Sequence, residues 1–195
     1  MSPDDFDTYL ESARRDGLLA LSSLTLPPES VVLDVGTGAG VFAVFLAQQG
    51  FEVVTGEPAA DDSQYARLEW RSHAERKGVS ELIRFVPFDA SEMPFESESF
   101  GGVFLYGALH HIEDHARKAA LSEAARVCRE GGSVVVLEPT TQTIDRIRHV
   151  NPSHPPAADP EIYLGGELSL SARHAGDSMN VFVFTNSRSQ TPTDQ

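Results

Sequence analysis

The chain has 195 residues, 41% of them hydrophobic, which is enough to bury one core and too little for a protein that lives in lipid. Its 15 Lys and Arg stand against 29 Asp and Glu, a formal charge of −14 that disfavours a nucleic-acid substrate, because binding to a phosphate backbone depends on basic contacts. No apolar stretch reaches the roughly 18 to 20 residues of a membrane span, the N-terminus Met1-Ser2-Pro3-Asp4-Asp5 is acidic where a secretory leader would be basic, and a lone Cys128 allows no intrachain disulfide or multi-cysteine zinc site. The expected setting is the reducing cytoplasm, with no membrane partner.

From Asp5 to Leu24, apolar residues recur at three- and four-residue spacings, which predicts an amphipathic helix with a candidate break at Gly17 and a stop at Pro27-Pro28. Val31 to Val35 reads as a buried strand, and Ala39 to Gln48 as a helix apolar on most faces. The pattern then repeats in type. Phe51 to Thr55 is a strand, Ser63 to Lys77 a helix ended by Gly78, and Ile83 to Phe88 a third strand. Phe100 to Tyr106 is the fourth strand, and His115 to Cys128 a helix capped by Asp114. Ser133 to Leu137 is a fifth strand after the turn Glu130-Gly131-Gly132. Thr140 to Val150 can form one more helix before the proline-rich Asn151 to Pro156. Leu168 to Ala172 and Asn180 to Thr185 read as an antiparallel hairpin turning near Gly176-Asp177. Alternating strands and helices of this length predict an α/β fold with a mostly parallel sheet and helices on both faces. The expected organisation is an N-terminal helical cap over 1–28, one ligand-binding domain over 29–186 and a disordered tail over 187–195.

The stretch Asp34-Val35-Gly36-Thr37-Gly38-Ala39-Gly40 runs a buried strand into three glycines at alternate positions and then a helix. Glycine permits the tight turn and lets a ligand approach the backbone, at the carboxyl end of the first strand where open α/β sheets place their crevice. A dinucleotide fingerprint needs its last glycine one place later, where Val41 stands, so a pyrophosphate ligand is opposed. Asp34 strengthens that point, since a carboxylate there suits an ammonium and repels a diphosphate. Glu57, after the second strand, can accept hydrogen bonds from both hydroxyls of a ribose. Asp89, after the third, can accept from an exocyclic amino group of adenine. The three acids together suit a ligand with an amino group, a ribose and an adenine.

On these residues the chain resembles the class I S-adenosylmethionine-dependent methyltransferases, particularly those with a short Leu-His-His signature. The resemblance runs from about Val31 to Pro139 and adds Phe88 to Phe95, Tyr106 to Asp114 and Ala125 to Gly132 in the family's order, with Glu130 where the family usually has proline. It implies a Rossmann-like seven-stranded sheet whose last strand is antiparallel. It also implies a cofactor, S-adenosyl-L-methionine, leaving as S-adenosyl-L-homocysteine. Gly36, Thr37 and Gly38, with Asp34 and Gly40 framing them, would meet its methionine moiety, Glu57 its ribose, Asp89 and Ala90 its adenine, and Tyr106 its methionine end. The implied activity is methyl transfer to an unidentified small-molecule acceptor, a protein acceptor or partner staying open. The alternative is a cofactor-binding sensor or non-catalytic subunit of the same fold.

No general base stands out. His110, His111 and Tyr9 are the weak candidates, the histidines because they follow the fourth strand at the rim of the crevice and Tyr9 because its helix could fold over the acceptor. No metal is expected, because spacing places no further ligand beside the pair His111 and His115.

Overall fold

The computed structural model describes residues 2–27, 30–60 and 69–187. In chain order the elements are α1 (Pro3–Leu21), β1 (Val31–Val35), α2 (Val41–Gln48), β2 (Glu52–Gly56), α3 (Trp70–Arg76), β3 (Ile83–Phe85), β4 (Phe100–Tyr106), α4 (Asp114–Val127), β5 (Cys128–Pro139), α5 (Thr141–Val150), β6 (Leu168–Ala175) and β7 (Met179–Asn186). The strands form one sheet in the order β3-β2-β1-β4-β5-β7-β6, with β7 antiparallel to both neighbours and the other pairings parallel. This is the expected mostly parallel seven-stranded Rossmann-like sheet with its C-terminal hairpin. The order reverses between β1 and β4, the switch point at which such sheets open a crevice beyond their carboxyl ends.

Both faces of the sheet are covered, so residues of period two divide between two apolar layers. Val32, Phe104, Val135, Leu137, Val181 and Val183 face α1 and α2, and Leu33, Val103, Leu105, Val134, Val136 and Phe184 face α4. Each fully buried Leu, Val or Phe contributes about 1.5–3 kcal/mol. Helix α2 is buried at every position from Phe42 to Ala47 because α1 lies over the side the sheet leaves open. Helix α1 begins at the N-cap Ser2, whose hydroxyl oxygen accepts from the Asp5 amide, with Pro3 at its first position. It sets Phe6, Leu10, Ala13, Gly17 and Ala20 on one buried stripe.

Four details differ from the sequence expectations. Gly17 does not break α1: it lets the helix pass Phe45, since a Cβ there would lie 2.3 Å from the Phe45 ring. The third strand stops at Phe85, although the amides of Val86 and Phe88 still donate to Thr55 and Glu57 carbonyls and keep the segment beside β2. Cys128 opens β5 instead of closing α4, and Glu130-Gly131-Gly132 forms a bulge within that strand, between the pairings Phe100 to Cys128 and Gly102 to Ser133. Asp114 is the first residue of α4, where its carboxylate takes Arg117 and the Tyr163 hydroxyl; Glu113 holds the cap position without a side-chain bond. The first part of the helix expected over Ser63 to Lys77 lies outside the described residues.

The hairpin β6–β7 is fastened to α1 by one carboxylate. Asp16, fully buried, accepts from the amides of Asp177, Ser178 and Met179 at 2.8, 3.1 and 3.0 Å. Cys128 is also fully buried, its thiol donating to the Ser133 carbonyl, and burial pushes the thiol up to about 12. Among the described residues no helix is long and apolar enough to cross a membrane.

Candidate active site

The loop between β1 and α2 turns through three left-handed glycines, Gly36 at φ 94°, Gly38 at φ 48° and Gly40 at φ 78°. Side chains other than glycine adopt this region at a cost of about 1–3 kcal/mol each, so three in five residues specify the turn strongly. The Gly36 amide donates to the Gly56 carbonyl at 2.9 Å, which ties the loop to the end of β2. A Cβ on Gly36 would meet Ala108 Cβ at 3.0 Å, so the loop after β4 closes against it.

Beneath the turn runs a buried chain of polar groups. Thr55 donates to Asp34 Oδ2 at 2.8 Å, and Thr37, 2.9 Å from the Thr55 hydroxyl oxygen, donates in turn to it because the Thr55 proton is already committed. Asp34 is 1% exposed and its Oδ1 has no hydrogen-bond partner among the described residues. Desolvation pushes its carboxyl up to about 7; the Thr55 bond pulls it down and the nearby Glu57 charge pushes it further up. An orphaned buried acceptor of this kind is costly unless a donor or cation completes it. An amino-acid ammonium has that chemistry, and the donor set fits the implied cofactor.

Glu57, half-buried just beyond β2, accepts the Gly38 amide on Oε2 at 3.0 Å. Asp89 stands next to Phe88, whose amide bonds the Glu57 carbonyl, so the two acids border one edge. Its Oδ1 takes both the amide and the hydroxyl of Ser91 at 2.7 Å, and these bonds hold the carboxyl below its usual range. Ala90 beside it is half-buried against the α4 layer. Tyr106 ends β4 with its ring stacked on Phe42, centroids 4.7 Å apart. Burial raises its hydroxyl well above the ordinary phenol value, and the nearby Asp16 and Tyr9 push in the same direction. Tyr9 itself is 57% exposed on α1.

The structure thus gathers Asp34, Gly36, Thr37, Gly38, Gly40 and Glu57 around one turn, with Asp89 and Ala90 at the next strand end and Tyr106 and Tyr9 on the α1 side. The two histidines part company. His110 is buried, its Nδ1 3.1 and 2.9 Å from the two oxygens of Glu138, whereas His111 is exposed at the rim. Glu138 also accepts the Ala158 amide at 2.8 Å, and Arg117 braces the same loop by donating to the carbonyls of His110 and Ile112. Three participants had no mark in the sequence. Thr55 is one more residue of an apolar strand, Glu138 precedes a proline at the end of β5, and His154 belongs to the proline-rich loop yet lies against His110 and His111. Only the run Thr55-Gly56-Glu57, with a polar residue facing the glycine turn, could have pointed to the first.

Comparison with known proteins agrees with this geometry. A family profile described as a methyltransferase domain matches residues 33–136. The chain is 32% identical over 139 residues to a sarcosine/dimethylglycine N-methyltransferase of Halorhodospira halochloris, covering 70% of this chain and 47% of that protein. It is 36% identical over 122 residues to a demethylmenaquinone methyltransferase of Mycobacterium sp. (strain JLS), covering 63% and 47%. It therefore spans about half the length of the curated relatives it matches. A solved protein of Pyrococcus horikoshii OT3 shares the fold with a TM-score of 0.70 at 18% identity, over 93% of this chain and 91% of that one. The profile match covers more than half of the residues and includes the glycine turn, the second- and third-strand acids and the loop after β4: the chain belongs to the class I S-adenosylmethionine-dependent methyltransferases.

Proposed function

We propose that the chain transfers the methyl group of S-adenosylmethionine to a small-molecule acceptor held on the α1 side of the crevice. The observation that carries this reading is the buried Thr37–Thr55–Asp34 chain under three left-handed glycines, with an unpartnered carboxylate oxygen and Glu57 at its edge. Asp34 would receive the ammonium of the cofactor, Glu57 the ribose hydroxyls, and the pair Asp89 and Ala90 the adenine. The cofactor supplies a sulfonium methyl group already activated for attack. Tyr106 and Phe42 form an apolar stacked wall that excludes water from that side, and Tyr9, exposed on α1, is placed to meet the acceptor. Alignment of two reactants can supply about 7–11 kcal/mol, so a strong general base is not required by the chemistry. The span 1–28 acts as the cap on this reading, and a cytoplasmic setting follows the acidic, single-cysteine composition.

The test is calorimetry with S-adenosylmethionine and S-adenosylhomocysteine, with NAD as the comparison, followed by methyl transfer to a panel of acceptors. Sarcosine, dimethylglycine and demethylmenaquinone open the panel because they are named for relatives. Micromolar binding of the sulfur compounds is expected; preference for NAD would overturn the reading. Stoichiometric binding without turnover on any acceptor would favour a sensor or subunit.

A further inference from the structure

His110, His111 and His154 each place a ring nitrogen within 4.8 Å of the other two, and their ring centroids lie 4.2 to 5.2 Å apart. They come from the short helical turn after β4 and from the loop after α5, so only the fold brings them together. From this cluster we infer a binding site for a divalent transition-metal ion, zinc by its ligand set, held by His110, His111 and His154 with one position open to solvent.

Two features beyond proximity support the site. Ligating histidines characteristically donate their second ring N–H to a carboxylate or a backbone carbonyl, which fixes the tautomer and turns the remaining lone pair toward the metal. Here Nδ1 of His110 lies 3.1 and 2.9 Å from the Glu138 carboxyl oxygens, leaving Nε2 as its ligand atom, and Nδ1 of His154 lies 2.9 Å from the Pro155 carbonyl. Glu138 is itself oriented by the Ala158 amide, and Arg117 holds the carbonyl of His110, so the first ligand is anchored from both sides. In addition, His110 and His111 open on a cleft of about 270 Å³ whose walls include Glu113 and the ion pair Asp114–Arg117.

Imidazole ligands select zinc and its neighbours and do not suit magnesium, which takes oxygen. Zinc–nitrogen bonds of about 2.0–2.1 Å in a tetrahedral site require nitrogens roughly 3.4 Å apart. That spacing falls within the 4.8 Å that bounds the ring nitrogens of the cluster. Because Ala108 lies against the glycine turn and just before the histidines, the ion would stand beside the crevice, on the α4 face of the sheet.

The experiment uses untagged protein stripped with a chelator and titrated with zinc against a chromophoric competitor. One equivalent bound with submicromolar affinity is expected. His111→Ala and His154→Ala should each weaken it at least about tenfold, and Glu138→Gln by about tenfold or more, with magnesium in large excess failing to compete. Circular dichroism of each variant establishes that it is folded. His111→Ala lies on the surface and keeps the test decisive if the Glu138 variant misfolds. Cobalt should give the visible bands of a four-coordinate site in the wild type and lose them in the two alanine variants. Absence of stoichiometric binding, or binding that the double variant His111→Ala/His154→Ala leaves intact, overturns the site. Cofactor affinity is read in a separate titration, so failure here is distinct from failure of the methyltransferase reading.

Discussion

The two sides of the crevice are held together over very different chain distances. At the glycine turn, Asp34, Thr37, Gly38, Thr55 and Glu57 lie in or just beyond two adjacent strands, and their bonds join residues 18 to 21 positions apart. Around the hairpin and the loop after α5, Asp16 reaches across to Met179 and His111 to His154. A glycine turn preorganises the first side locally; the second exists only once the C-terminal hairpin and the loop after α5 have docked. Such long-range closure forms late and opens easily. The local side should therefore tolerate disturbance of the other better than the reverse.

The largest effect tests the strain stored on the cofactor side. Asp34 is neutral in the fold up to about pH 7, while in the unfolded chain it ionises near 4. Its contribution is therefore intact below pH 4, declines as pH rises toward 7, and is constant beyond, a loss of at most about 4 kcal/mol. Asp34→Asn should remove that decline, read as the difference between urea-denaturation curves of the two proteins from pH 4 to 8; parallel curves would show that the carboxyl is not neutral when buried. Next, Asp16→Ala leaves three backbone amides of the hairpin turn without their acceptor and should cost about 3 kcal/mol. Hydrogen exchange should then rise in β6 and β7 well before β1 and β2. Uniform loss of protection would erase the contrast between the two sides.

How much of this was legible follows the same division. The glycine spacing, Asp34 and Glu57 could be read because local geometry demands particular residue types at fixed offsets. β1 and β4 were bounded correctly because they are apolar runs buried on both faces. Gly17 misled because glycine permits close helix packing as readily as it breaks a helix, and the choice lay with Phe45. The bulge at Glu130 to Gly132 looked like a turn because both want glycine. Glu138 and His154 carried no signal at all, since a buried carboxylate and a loop histidine acquire meaning only from what the fold sets opposite them.

Smaller effects sharpen the cofactor side. Gly38→Val forces a β-branched residue into a left-handed turn and should weaken S-adenosylmethionine binding about a hundredfold, measured by calorimetry. Wild-type affinity in that variant would mean the turn does not face the ligand. Glu57→Ala removes one charge-assisted acceptor and should weaken binding about tenfold in a protein that circular dichroism shows to be folded; unaltered affinity would take Glu57 out of the ribose role.

The single thiol offers a different use of the same molecule. Cys128 is sealed at the junction of α4 and β5, and at physiological pH almost none of it is thiolate. An alkylating reagent can reach it only when the middle of the sheet opens, so the modification rate of the native chain gauges its opening without any engineered label. A compound that occupies the crevice slows that rate by the factor with which it favours the closed state. The protein therefore carries its own assay for ligands of the crevice, one that needs no turnover.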